Sequence, residues 1–268
     1  MPKYDNEGIE NRSFLFESAT NVSSVTIKDL HYHSLYEIYF MCEGSANYFI
    51  DDKIYEVSAG DVVFVPEGAI HKTVYLGGEH SRKLINCSSH FLPTSLKGSL
   101  FTKPILYKGL GETENVKQLF ERIEGEYLGV DDYSYDAIRC YMRLLFILLA
   151  RNFEASSTKS VGSKLVEGTI AYIKVKYNSN ITLFEIARVQ GVSAEHLSRR
   201  FKKETGFGVN EYLTLVRLRQ AARCLSEWED ATVSDIAYAC GFNDSNYFSY
   251  KFKEAYGISP LKFKKGGR

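Results

Sequence analysis

The chain has 268 residues, 44% hydrophobic and 25% charged, with 33 Lys and Arg balancing 33 Asp and Glu. That is enough chain for one large core or two ordinary ones, with too much apolar content for general disorder. The longest apolar run, Leu144 to Ala150, is too short to span a bilayer, and the first thirty residues lack a basic stretch followed by an apolar one. Five scattered cysteines (Cys42, Cys87, Cys140, Cys224 and Cys240) form no C-x-x-C pair. They are expected to be free, mostly buried thiols of a cytoplasmic protein with no membrane partner.

Zero net charge conceals an asymmetry. Residues 164–268 hold 17 Lys and Arg against 11 Asp and Glu, whereas residues 1–163 hold 16 against 22. A basic module joined to an acidic one suggests that the C-terminal part alone meets a polyanion.

Up to about residue 90 the pattern is strand-like. YEIYFMC, ANYFI, KIYEV and DVVFV are short, aromatic and β-branched, and are separated by Glu43-Gly44, Asp51-Asp52 and Ala59-Gly60. Such spacing predicts a sandwich or small barrel, over about 20–95. Within it stand His31, His33 and Glu37 with Gly44, then Gly60, Pro66, Gly68 and His71. Residues 31, 33 and 37 share strand parity, and the Pro66–Gly68 turn can bring His71 beside them. Three imidazoles and a carboxylate would suit a divalent transition metal at His31, His33, Glu37 and His71. They would equally serve as hydrogen-bonding groups of a small-molecule pocket, or satisfy one another inside the barrel. Tyr39 and Tyr48 could stack on a sugar ring or belong to the core. The constellation resembles the two sequence motifs of cupin barrels, with Val25 in place of the leading Gly and Tyr75 in place of the final Asn.

Beyond about Glu112 the period changes to that of helices. Val116, Leu119, Phe120 and Ile123, then Ala137, Tyr141, Leu144, Leu145 and Leu148, predict an αα-hairpin over about 112–152 that turns near Gly129 to Asp132. The second helix is apolar over more than one face, so it is either sandwiched between neighbours or part of a subunit contact, and a homodimer through it is expected. Residues 153–163, FEASSTKSVGS, are small and polar and are expected to link residues 1–152 to residues 164–268.

The last hundred residues contain a repeat. Thr182, Ile186, Ala187 and Gly191 recur as Thr232, Ile236, Ala237 and Gly241; Ser198, Phe201, Lys202 and Gly206 recur as Ser249, Phe252, Lys253 and Gly257. Each copy opens on a capping signal, Thr182-x-x-Glu185 or Thr232-x-x-Asp235, then needs a small Ala at a close crossing and a Gly at the helix end. Ser193, and Asn243 or Asp244, can cap a second helix with Leu197 and Phe201, or Phe248 and Phe252, facing inward. That is a helix-turn-helix, twice. Outward lie Glu195, Ser198, Arg199 and Arg200 in one copy and Ser245, Asn246, Tyr250 and Lys251 in the other, types that reach base edges or phosphates.

The stretches ITLFEIARVQGVSAEHLSRRFKKETG and ATVSDIAYACGFNDSNYFSYKFKEAYGISPLKF, with a connecting helix expected over Glu211 to Ser226, resemble the DNA-binding domain of AraC/XylS transcription regulators. An N-terminal cupin-like domain is common among such regulators. The resemblance implies an α+β protein of two domains: a cupin-like β-barrel with an αα-hairpin, then an all-α domain with two helix-turn-helix motifs. It implies base contacts at Glu195, Ser198, Arg199, Ser245, Asn246 and Tyr250, the last standing where the family commonly has Arg. Phosphate contacts are expected at Arg200, Lys202 and Lys253. Double-stranded promoter DNA is then one partner. A sugar-like effector held by His31, His33, Glu37, Tyr39 and His71 is another. The competing reading is a metal-dependent cupin enzyme with an appended helical domain; the duplicated motif weighs against it.

Overall fold

In a computed structural model, residues 13–20, 35–96, 101–129, 131–153 and 160–266 are described. Eight strands occur among them: β1 (Phe14–Thr20), β2 (Tyr36–Glu43), β3 (Ser45–Ile50), β4 (Lys53–Ser58), β5 (Val62–Val65), β6 (His71–Tyr75), β7 (Ser81–Cys87) and β8 (Ile105–Tyr107). They form two antiparallel sheets, ordered β1-β7-β2-β5-β8 and β4-β3-β6. The barrel draws on strands outside the expected 20–95 span, since β1 precedes it and β8 follows it.

Alternation along each strand sorts side chains between two layers. On the five-stranded sheet Phe16, Ile38, Phe40, Val62, Phe64 and Ile85 face two helices, α1 (Glu114–Gly129) and α2 (Ser134–Arg151). Those helices answer with Leu119, Phe120 and Ile123, and with Met142, Leu145 and Phe146. The opposite face of this sheet presents Tyr39, Met41, Val63 and Leu84 to Tyr48, Tyr55 and Val57 of the three-stranded sheet. This second layer is the barrel interior.

Seven further helices follow: α3 (Lys164–Lys176), α4 (Leu183–Val189), α5 (Ala194–Thr205), α6 (Val209–Glu227), α7 (Val233–Ala239), α8 (Ser245–Tyr256) and α9 (Pro260–Gly266). The connecting helix α6 begins two residues earlier than the sequence suggests. Gly208 precedes it, and the Glu211 carboxylate accepts from the Gly208 amide, so the chain turns helical at Val209. Its 19 residues span about 28 Å. The first half, through Val216, packs in the core of the first helix-turn-helix. The second half, from Leu218, packs with Ile236, Phe248 and Phe252 of the second.

The segment read as a linker is partly structural. Val161 donates to the Ile54 carbonyl at 2.8 Å, and Ser160 accepts from the Ile54 amide at 3.3 Å, so residues 160–161 run along the β4 edge. Cys87 and Cys240 are buried, Cys42 and Cys224 half-buried, and Cys140 is exposed on α2.

Candidate nucleic-acid interface and effector site

Both reading helices start on side-chain caps. Ser193 accepts from the His196 amide at 3.2 Å, and Asp244, rather than Asn243, accepts from the Asn246 and Tyr247 amides at 2.7 and 2.8 Å. Gly191 and Gly241 lie at positive φ, 70° and 87°, and so turn each first helix into its second. Ala187 and Ala237 are buried where those helices cross, and Leu197, Phe201, Phe248 and Phe252 are sealed inward.

The opposite face of each second helix is therefore free. Glu195, Arg199, Asn246 and Tyr250 are exposed, with Ser198 and Ser245 half-buried beside them. Lys202 and Lys253 are exposed as well. Arg200 is engaged by Glu204 one turn on, and Glu204 also accepts from the Ser163 amide at 2.9 Å, so this arginine braces the start of α3. Lys251 lies 5.5 Å from the Tyr250 ring centroid. Tyr247, half exposed at the first turn of α8, shares this surface. It escaped sequence reading because its counterpart in the first copy is His196, and the pair carries no common chemistry.

In the barrel, the structure brings Glu37 and His71 together across the two sheets, with His71 Nε2 at 3.4 Å from Glu37 Oε2. His71 Nδ1 donates to the Ala69 carbonyl at 2.9 Å, which fixes the ring. The Tyr48 hydroxyl donates to Glu37 Oε1. Burial pulls the His71 pKa down, but the Glu37 carboxylate and the Ala69 carbonyl outweigh it, and the net shift is upward. Burial, then the Glu37 charge, raises the Tyr48 phenol well above its ordinary value and keeps it a donor. Tyr39 is buried beside Tyr48, ring centroids 5.1 Å apart, with its hydroxyl on Met41 Sδ at 3.5 Å. His31 and His33 lie outside the described residues. Among the described residues no group of three or more His, Cys, Asp or Glu converges as a metal site. Glu37 already has Tyr48 on one oxygen and His71 on the other, so the described pair is satisfied as a hydrogen-bonded unit.

A third feature joins the two regions. The outer face of the three-stranded sheet shares one core with the first helix-turn-helix: Phe49, Ile54 and Ile70 pack with Leu197, Phe201, Phe207 and Tyr212. Phe49 meets Phe207 and Tyr212 edge-on, with centroids 5.8 and 5.6 Å away. Asp51, at the β3–β4 turn with φ 58°, accepts from the Ile70 amide at 3.1 Å and pairs with Arg219 of α6. Its carbonyl accepts from the Tyr212 hydroxyl at 2.8 Å. Lys174 pairs with Asp52 at 2.7 Å, and Lys72 sits 4.6 Å from the Phe207 ring centroid. His71 in the barrel follows Ile70 directly, so the Glu37–His71 pair lies one residue from this seam.

Comparison with known proteins matches these two regions separately. Residues 24–139 match the AraC-like ligand binding domain, and residues 186–266 match a helix-turn-helix domain. The HTH-type transcriptional activator RhaS of Pectobacterium carotovorum subsp. carotovorum (strain PC1) is 26% identical over 86% of this chain and 85% of its own length. RhaS of Escherichia coli (strain SE11) is 25% identical over 88% and 87%. Among solved structures, ToxT from Vibrio cholerae O395 aligns over 96% of this chain and 100% of its own at 14% identity, with a TM-score of 0.41. No helix among the described residues is long and apolar enough to cross a membrane. With a ligand-binding barrel, two capped helix-turn-helix units and relatives matched along most of their length, this chain belongs to the AraC family of effector-responsive, DNA-binding transcription regulators and is not an enzyme.

Proposed function

We propose that the barrel interior binds a small polyhydroxylated effector and that this controls how the two helix-turn-helix units meet promoter DNA. The working units are residues 1–152, the 153–163 connection and residues 164–268. The observation that carries the effector reading is the buried Glu37–His71–Tyr48 cluster, a carboxylate, an imidazole and a phenol in contact across the barrel. Beyond the bonds they make to one another, the Glu37 carboxylate and the Tyr48 oxygen keep acceptor lone pairs, which suit the hydroxyls of a carbohydrate. Tyr39 lines the same wall; His31 and His33, outside the described residues, are assigned to the pocket by their sequence spacing alone.

On DNA, Arg199 bonds guanine bidentately and Asn246 does the same for adenine, with Glu195, Ser198, Ser245 and Tyr250 framing them. Lys202, Lys253 and Arg200 take phosphates. One continuous α6 runs through both cores and fixes the two units relative to each other, as reading of successive major grooves requires. Its RhaS relatives are named activators, and this chain is proposed to activate as well. A homodimer forms through α2, where Leu144 is exposed beside half-buried Tyr141, Ile147 and Leu148.

The test is DNA binding with and without sugars. A duplex selected in vitro against the full chain is titrated by fluorescence anisotropy across a panel of monosaccharides and sugar alcohols. The expected result is one class of polyol changing affinity in wild type, and no change in Glu37→Gln or His71→Ala, with ligand-free DNA affinity kept. Folded variants that respond at wild-type concentrations would place the pocket elsewhere.

A further inference from the structure

Three buried polar side-chain atoms among the described residues have no hydrogen-bond partner: Arg82 Nη1, Asn86 Oδ1 and the Tyr107 hydroxyl. The last lies on the helix-facing side of its sheet. The other two do not. Arg82 pairs with Met41 and Asn86 with Glu37 in the β2–β7 register, so both sit on the barrel-interior face. Arg82 is 5% exposed and Asn86 7%. A buried, unused donor of a guanidinium and a buried, unused acceptor on one strand are costly unless something else completes them.

The two atoms ask for different chemistry. Asn86 stands opposite Glu37, at the Tyr48–His71 end, and its oxygen accepts, so it needs a donor such as a hydroxyl. Arg82 lies four residues away, about 13 Å along the strand. Its Nη2 donates to Glu17 Oε1 at 2.8 Å, but Glu17 approaches from the edge strand β1 and is 46% exposed. That counter-charge is half in water and occupies one arm of the fork only. Burial opposes the Arg82 charge, yet Tyr75, Glu17, Tyr39 and Glu37 more than compensate, so the group is held cationic. The Tyr39 hydroxyl meets the Met41 thioether, a weak acceptor, and the neutral Tyr75 hydroxyl. A second anion inside the barrel would take both Nη1 and a phenol, in bonds about twice as strong as a neutral acceptor makes.

We propose that the effector is a hydroxycarboxylate, a sugar acid whose carboxylate is bound by Arg82 Nη1 and whose hydroxyls are bound by Asn86 and the Glu37–His71–Tyr48 cluster. This rests on the reading of the barrel interior as the effector pocket. It goes beyond it by making the ligand acidic and giving it a direction: acid toward Arg82, hydroxyls toward Glu37. A guanidinium left incomplete for a ligand also stabilises the free protein little.

The experiment is thermal unfolding of the full chain at neutral pH with sodium D-galacturonate, D-glucuronate and D-gluconate, against D-galactose, D-glucose and sorbitol. Ligand that binds the native state raises the midpoint by mass action. At 10 mM the acids are expected to raise the wild-type midpoint and the neutral compounds to raise it less. Arg82→Met should abolish the response to the acids while its ligand-free midpoint stays at or above that of wild type. A purely structural Arg82 would instead lower that midpoint, and this result overturns the proposal. Neutral polyols that stabilise wild type as well as the acids do, but not Glu37→Gln, would overturn the acidic ligand and leave the hydroxyl pocket standing. Acids that bind wild type and Glu37→Gln alike, but not Arg82→Met, would uphold the carboxylate end and remove Glu37 from the pocket. If no compound shifts wild type, both readings fail.

Discussion

The shared core between the barrel and the first helix-turn-helix predicts that the two unfold together and that one side chain can separate them. Phe49 is the choice. It is fully buried, lies on the outer face of the barrel, and touches Phe207 and Tyr212 edge-on, so its loss opens the seam without emptying the barrel interior. A buried Phe→Ala change costs about 3–5 kcal/mol. The neighbouring Tyr212–Asp51 hydrogen bond adds about 1 kcal/mol. The Arg219–Asp51 pair, with side chains 21% and 27% exposed, adds less than about 1 kcal/mol because solvent screens it. Phe49 therefore outweighs both polar contacts. At about 2–4 °C per kcal/mol, a loss of 3 kcal/mol lowers the unfolding midpoint by about 6–12 °C. Calorimetry of Phe49→Ala should show an early transition split from that of the barrel. Hydrogen exchange should rise in α5 and the first half of α6, and stay low in α1 and α2, which pack on the other sheet. A single transition shifted by under about 2 °C, with α6 exchange unchanged, would refute the shared-core reasoning.

Arg199→Ala should lower affinity for a selected duplex by about 1–3 kcal/mol and relax preference at one base pair; Lys202→Ala should weaken selected and random DNA alike and flatten the salt slope by about one. Leu144 is 51% exposed, so wild type should sediment as a dimer and Leu144→Glu as a folded monomer; a monomeric wild type at micromolar concentration would count against the α2 contact. The two turn glycines should differ although they hold equivalent places. A Cβ at Gly191 meets nothing within 4 Å, so Gly191→Ala should cost only the left-handed strain, about 1–2 kcal/mol. A Cβ at Gly241 would lie 2.6 Å from the Tyr177 carbonyl oxygen and 2.9 Å from Asn178 Cα, adding about 1–3 kcal/mol of crowding. Equal midpoints for the two variants in thermal unfolding would contradict this.

Local chemistry decided the reading helices, and so the sequence alone located them. A cap, a small Ala and a positive-φ Gly act within a few residues, and Thr182, Ser193, Gly191 and their copies do in the fold what their spacing requires. The same holds for strands β2 to β5, marked by short aromatic and β-branched runs between turn residues, and for the helical pair, whose period is written in consecutive residues. What escaped the sequence depends on partners far along the chain. β1 joins the sheet only by pairing with β7, and β8 only by pairing with β5. Tyr48 becomes a ligand of Glu37 because two sheets face each other. Asp51 becomes a docking point because α6, more than 150 residues later, returns to it with Tyr212 and Arg219. Arg82 reads in sequence as one more surface charge, and only strand register turns it inward, where water cannot complete its hydrogen bonds.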